Sequence, residues 1–186
     1  MVALGSLWIP ILVSAVFVFL ASSLVWMVLP HHQSDWQGLP GEAAILEALR
    51  KSGVKRGQYR FPYAAGRKAM QSPEMKKKLE EGPAGLLVLW EKWDISMGKM
   101  MAGWFLYLVV VSIFVAYLTG HVLGPGTPYL SVFRVAGTSA VLAYAGSLVP
   151  NSIWWGRSWS MTWKEVADGV LYGLLTAGVF GWLWPR

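Results

Sequence analysis

Cysteine is missing from this chain altogether. Disulfides, thiolate nucleophiles, iron–sulfur clusters and cysteine zinc sites are therefore closed to it. Charge is also scarce. Asp, Glu, Lys and Arg make up 14% of the residues, against roughly 25% in a typical soluble domain, and long stretches carry none. Only three histidines occur, and no two of them fall at matching depth on different apolar runs, so a b-type haem is not expected. There is no Walker loop, dinucleotide fingerprint, zincin motif or nucleophile elbow. There is no tandem repeat and no low-complexity tract. An inverted repeat is missing too, which weakens an alternating-access transporter.

What the chain has in excess is apolar surface. Hydrophobic residues are 55% of its 186 positions and the mean hydropathy is +0.44. The 12 tryptophans cluster at the ends of apolar runs, the pattern of aromatic belts at a membrane interface. Four runs stand out, at residues 4–29, 101–123, 129–149 and 166–184. Each is long enough at 1.5 Å per residue for a hydrocarbon core of about 30 Å. The first lacks a basic lead-in and exceeds a signal-peptide core, so it is expected to stay as a span. The expected fold class is an all-α integral membrane protein with about four transmembrane helices. A small α (plus short β) insertion lies between the first two.

Fourteen of the sixteen Lys and Arg fall in residues 30–99 or at Arg157 and Lys164. These connections share one side of a four-span protein. Only Arg134 and Arg186 fall on the other. The positive-inside rule then makes residues 30–99 cytoplasmic and leaves both termini outside. Within that segment, residues 41–52 read as a short helix closed by Gly53. Residues 73–81 read as a second, with Ser72 as N-cap and Pro73 at the first position. Tyr59-Arg60-Phe61 and residues 86–90 are either short strands or surface-lying segments. Arg67, Lys68, Lys76, Lys77 and Lys78 form a basic patch suited to anionic lipid headgroups. Nucleic acid is not expected as a partner, because no aromatic platform interleaves with that patch.

Inside the membrane the clearest signal is small residues at a four-residue spacing. Gly169, Gly173, Ala177 and Gly181 line the fourth run. Ser139, Ala143 and Ser147, with Ala136 and Ala140 beside them, offer a matching face on the third. Ser112, Ala116 and Gly120 offer one on the second. Such faces let helix backbones approach closely, within the bundle or against another subunit. Asp168 is the one carboxylate set inside a run. An ion pair with Lys164 one turn earlier is its simplest role; with Tyr172 and Thr176 it also makes a possible polar site. His31, His32 and Asp35 cluster after the first run. Adjacent residues on an α-helix point about 100° apart and chelate one ion poorly, so an interfacial polar anchor is expected there, with no metal and no cofactor. Residues 151–164, rich in Trp, read as an interfacial loop.

Three further stretches carry a resemblance: Tyr59-Arg60-Phe61-Pro62, Tyr129-Leu130-Ser131-Val132-Phe133-Arg134, and Thr176-Ala177-Gly178-Val179-Phe180-Gly181-Trp182-Leu183-Trp184-Pro185. The chain resembles a group of small bacterial four-helix inner-membrane proteins with no known activity. That resemblance implies a bacterial inner-membrane setting and carries no site residues. The expected function is a non-catalytic structural or assembly subunit of a larger membrane complex, with lipid and other subunits as partners. The alternative is a small transporter or channel whose polar cavity is built from Asp168, Tyr172, Thr176, Tyr144 and Ser147. A lipid-modifying membrane enzyme is the third reading, and it requires Asp168, His31 or His32 to converge at the cytoplasmic face.

Overall fold

A computed structural model describes residues 1–90 and 96–186. Lys92, one of the basic residues counted above, lies outside the described residues. The chain is mostly helical and forms two compact units, one of residues 1–36 with 96–186 and one of residues 37–90. Three stretches are long and apolar enough to cross a membrane: Leu4–Met27, Met97–Val122 and Tyr129–Trp155. About a third or less of each is buried inside the protein. The outward remainder includes Phe17, Leu20, Phe114 and Leu142, all exposed. An apolar surface of that extent suits hydrocarbon and not water.

The first unit is a bundle of α1 (Trp8–Met27), α5 (Met97–Val122), α6 (Tyr129–Ala145) and α8 (Trp159–Trp182), with the short α7 (Val149–Trp155) between the last two. Helix α1 packs on α5 and α8, and α6 packs on α5 and α8, closing a ring of four. Local sequence sets the breaks. Leu29 precedes Pro30 and is extended, as the residue before proline prefers. Pro30 then opens a 3-10 turn, Pro30–Asp35. Pro150 sits in the first turn of α7, where its missing N–H costs nothing. Gly156 ends α7 at a φ of 68°, a left-handed conformation that glycine adopts freely. The stretch expected as a Trp-rich loop is thus largely helical. Trp154, Trp155, Trp159 and Trp163 are exposed on α7 and the first turns of α8.

Helices α6 and α8 make the closest pairing. A Cβ added at Gly169 would lie 3.0 Å from Ala145 Cβ, and one at Gly137 would lie 3.0 Å from Ala177 Cβ. At Gly173 it would run into the Val141 side chain and come within 2.9 Å of the Val141 nitrogen. Gly181 lies against the Tyr129 ring. The stripe that α6 buries is Val132, Ala136, Gly137, Ala140 and Tyr144. Ala143 and Ser147 are exposed, and Ser139 bonds back to the Val135 carbonyl at 2.9 Å. On α5, Ser112 accepts from Ser14 of α1 at 3.0 Å, Ala116 is buried, and Gly120 admits the Val2 backbone, whose N–H reaches the Gly120 carbonyl at 2.7 Å.

The second unit holds α2 (Glu42–Ser52), α3 (Arg67–Met70), α4 (Pro73–Glu81) and an antiparallel pair, β1 (Gly57–Phe61) with β2 (Gly85–Leu89). Tyr59 pairs with Leu87 at the centre of the register. The Ser72 hydroxyl caps α4 by accepting from the Met75 N–H at 3.2 Å. Arg67 and Lys68 lie on α3 and Lys76, Lys77 and Lys78 on α4, all exposed, with Lys78 paired to Glu74 at 2.9 Å.

The α6–α8 contact yields a stability test. Gly173→Ala should destabilise the protein by about 1–3 kcal/mol, as overpacking does. Gly178→Ala, whose new Cβ would meet only the Tyr129 hydroxyl at 3.8 Å, should be neutral or slightly stabilising because alanine is the better helix former. Thermal unfolding of both variants in detergent micelles compares them directly.

Candidate functional site

One turn and one helix face build a polar cluster at the end of the bundle where α1 finishes and α8 begins. A 3-10 helix has three residues per turn, so side chains at i and i+3 stand in line. The turn opened by Pro30 therefore sets His32 over Asp35, and His32 Nδ1 lies 2.6 Å from Asp35 Oδ2. Lys164 and Asp168 are four apart on α8 and share one face. They do not pair with each other as the sequence suggested. Each reaches across to the turn. Lys164 Nζ donates to Asp35 Oδ1 at 2.6 Å, to the His31 carbonyl at 2.6 Å and to Ser34 Oγ at 3.0 Å. Asp168 Oδ2 lies 2.8 Å from His32 Nε2, and Asp168 Oδ1 lies 3.5 Å from His31 Nε2.

The electrostatics follow from this connectivity. Both ring nitrogens of His32 face carboxylate oxygens, and an ionised carboxylate only accepts. Two N–H donors on one ring make an imidazolium. Burial alone would lower the His32 pKa, but the hydrogen bonds to Asp35 and Asp168 and their charges outweigh it and hold the pKa above its ordinary value. The Lys164 and His32 hydrogen bonds hold the Asp35 carboxyl below its usual range. The Trp26 ring stacks on His32 with centroids 3.9 Å apart and planes 8° apart, a favourable cation–π placement. His31 is tilted against His32 at 4.1 Å. Its side chain is 35% exposed, against 5% for His32. Adjacent residues of a 3-10 turn point about 120° apart, yet the Nε2 atoms of both His31 and His32 lie within 3.5 Å of an Asp168 oxygen.

Beside the cluster lies a cavity of about 460 Å³. Its wall is mainly aromatic and aliphatic, with Trp26, Trp104, Tyr107 and Leu148 among the lining residues, and Asp168 belongs to it. Ser22 accepts from the Trp104 indole at 2.9 Å on one side. Tyr144 and Tyr172 also line it, with rings edge to face at 6.0 Å. Both hydroxyls are buried, and neither meets hydrogen-bond geometry with any described residue. Ser112 and Thr176 lie near the first and the Trp26 indole near the second. Of the five residues assigned to a polar cavity, Asp168, Tyr172, Tyr144 and Ser147 line it. Thr176 does not; its hydroxyl returns to the Tyr172 carbonyl at 2.9 Å. Glu165, also among the lining residues, pairs with Arg157. His121 stands at the opposite end of the bundle, on α5 beside Tyr117.

Trp26, Lys164 as the partner of Asp35, and Trp104 were not legible as site residues. Pro30 followed by His32 and Asp35 at i+3 was the available signal. Compared with family models, with curated proteins and with solved structures, the chain matches none.

The Asp35–Lys164 contact is testable by mutation. Asp35→Ala leaves the Lys164 ammonium and the His32 Nδ1–H without their carboxylate. It should cost roughly 1–3 kcal/mol, the range for a buried donor left unmade. Lys164→Met should be less than additive with it, because both remove one contact. Chemical unfolding of the two single variants and the double variant gives the coupling.

Proposed function

We propose that this is a four-span membrane protein that takes a lipid-like amphiphile from the bilayer into the cavity and holds or processes its polar group at the His–Asp cluster. The single observation behind this is the position of Asp168, which is at once a wall of the cavity and the hub of the cluster. A volume of about 460 Å³ falls in the range of small-molecule sites, which are mostly apolar with a few placed polar groups. The aromatic wall suits an acyl chain or flat apolar body. The lipid-enzyme reading required Asp168, His31 or His32 to converge at the cytoplasmic face, and the three side chains lie together. The assembly-subunit reading loses one support, the lack of such a constellation, and keeps its small-residue faces and basic patch.

In this proposal α8 is the fourth span. Its 24 residues cover about 36 Å at 1.5 Å per residue. Lys164, Glu165 and Asp168 are each paired inside the protein, which lowers the cost of charge at membrane depth. The positive-inside count puts the cluster at the cytoplasmic face of a bacterial inner membrane, with residues 37–90 on that side and their basic patch near anionic headgroups.

A diazirine-bearing fatty-acyl probe tests the cavity. The label should map to peptides carrying Trp26–Met27 and Met101–Tyr107. Ser23→Trp, which fills the cavity from α1, should reduce that labelling several-fold without altering the fold. Labelling confined to outward residues such as Leu20 and Phe114, and unchanged in Ser23→Trp, overturns the reading.

A further inference from the structure

We infer that His31, His32 and Asp168 form a binding site for a divalent first-row transition ion, with Asp35 and Lys164 as its outer shell. This deepens the amphiphile reading by placing a Lewis acid at the polar end of the same cavity. The donor atoms, one from each residue, all lie within 4.8 Å of one another. Two of the relevant separations are 2.8 Å (His32 Nε2 to Asp168 Oδ2) and 3.5 Å (His31 Nε2 to Asp168 Oδ1). With metal bonds of about 2.0–2.1 Å, neighbouring donors of a tetrahedron stand roughly 3.3 Å apart. Side-chain adjustments of an ångström or so would therefore close the site.

The donor chemistry is selective. Two imidazoles and one carboxylate suit Zn²⁺, Co²⁺ or Fe²⁺, and disfavour Mg²⁺ and Ca²⁺, which prefer oxygen. Three protein ligands leave a fourth position for water or substrate, as in catalytic sites. The outer shell is already in place. A ligating histidine normally gives its other N–H to a carboxylate, which fixes the tautomer and ring direction. Here Asp35 Oδ2 accepts from His32 Nδ1 at 2.6 Å, and Lys164 anchors Asp35. Without metal, a proton on His32 Nε2 bridges to Asp168. The ion would take that proton's place and release it to solvent. His31 favours this reading over a closed salt-bridge network. Its ring is turned to Asp168 at 3.5 Å, longer than a good hydrogen bond. It completes a ligand set, and its exposure gives an entry path.

The experiment uses the full chain in detergent, without a polyhistidine tag, stripped with chelator and titrated with Co²⁺. One Co²⁺ should bind per chain, with the visible d–d absorption of a four- or five-coordinate ion, and Zn²⁺ should displace it. His31→Ala and Asp168→Asn should each abolish the band. Asp35→Asn should weaken binding by about 10–100-fold. His121→Ala should leave it intact. His31→Ala loses a 3.5 Å contact to Asp168 and a tilted ring contact to His32, and no short hydrogen bond, so its helical circular dichroism should match the wild type and keep the result interpretable. No stoichiometric ion, or binding indifferent to His31→Ala and Asp168→Asn, overturns the site. The acyl-probe labelling is run on the same samples. Labelling without metal binding removes the metal site and leaves the amphiphile reading; metal binding without labelling does the reverse.

Discussion

Asp168 is a carboxylate two and a half turns into a helix, buried, in a bundle whose outward surface is apolar. A charge so placed is costly unless it is paired and hydrogen-bonded. The rest of this end of the molecule is arranged around that requirement. The break at Leu29-Pro30 ends α1, the 3-10 turn brings both histidines onto Asp168, and Asp35 and Lys164 complete the charge balance behind His32. The turn is thereby fastened to α8 by charge-assisted hydrogen bonds, which are shorter and stronger than neutral ones. A feature that looks like a surface anchor in the linear chain is a tie between two helices.

The backbone approach of α6 to α8 supplies the other half of the framework. Small residues at Gly137, Gly169, Gly173 and Ala177 let the two helices touch without intervening side chains, gaining dispersion contact between the backbones. Close approach on that side and bulky aromatics on the α1 and α5 side leave the space between unfilled. The cavity is that space. Asp168 in its wall couples the packing of the bundle to the chemistry of its end.

The amino-acid sequence by itself determined three apolar stretches long enough to cross a membrane, both short helices of residues 37–90 and the presence of a lone carboxylate in the last apolar run. These are local properties: hydropathy over about twenty residues, a proline or serine at a helix start, a glycine at its end. The pairing of residues 57–61 with 85–89 was open in the sequence, because a five-residue segment, mixed at 57–61 and apolar at 85–89, is ambiguous without a partner. The face of α6 that meets α8 was also misplaced by about a residue, since Ser139 and Ala143 are as small as Ala136 and Ala140 and only packing tells them apart. Tertiary structure alone decided the cluster. His31 and His32 stand more than a hundred residues from Asp168 in the chain, and whether Lys164 would turn to Asp168 or to Asp35 depended on where α1 ends against α8.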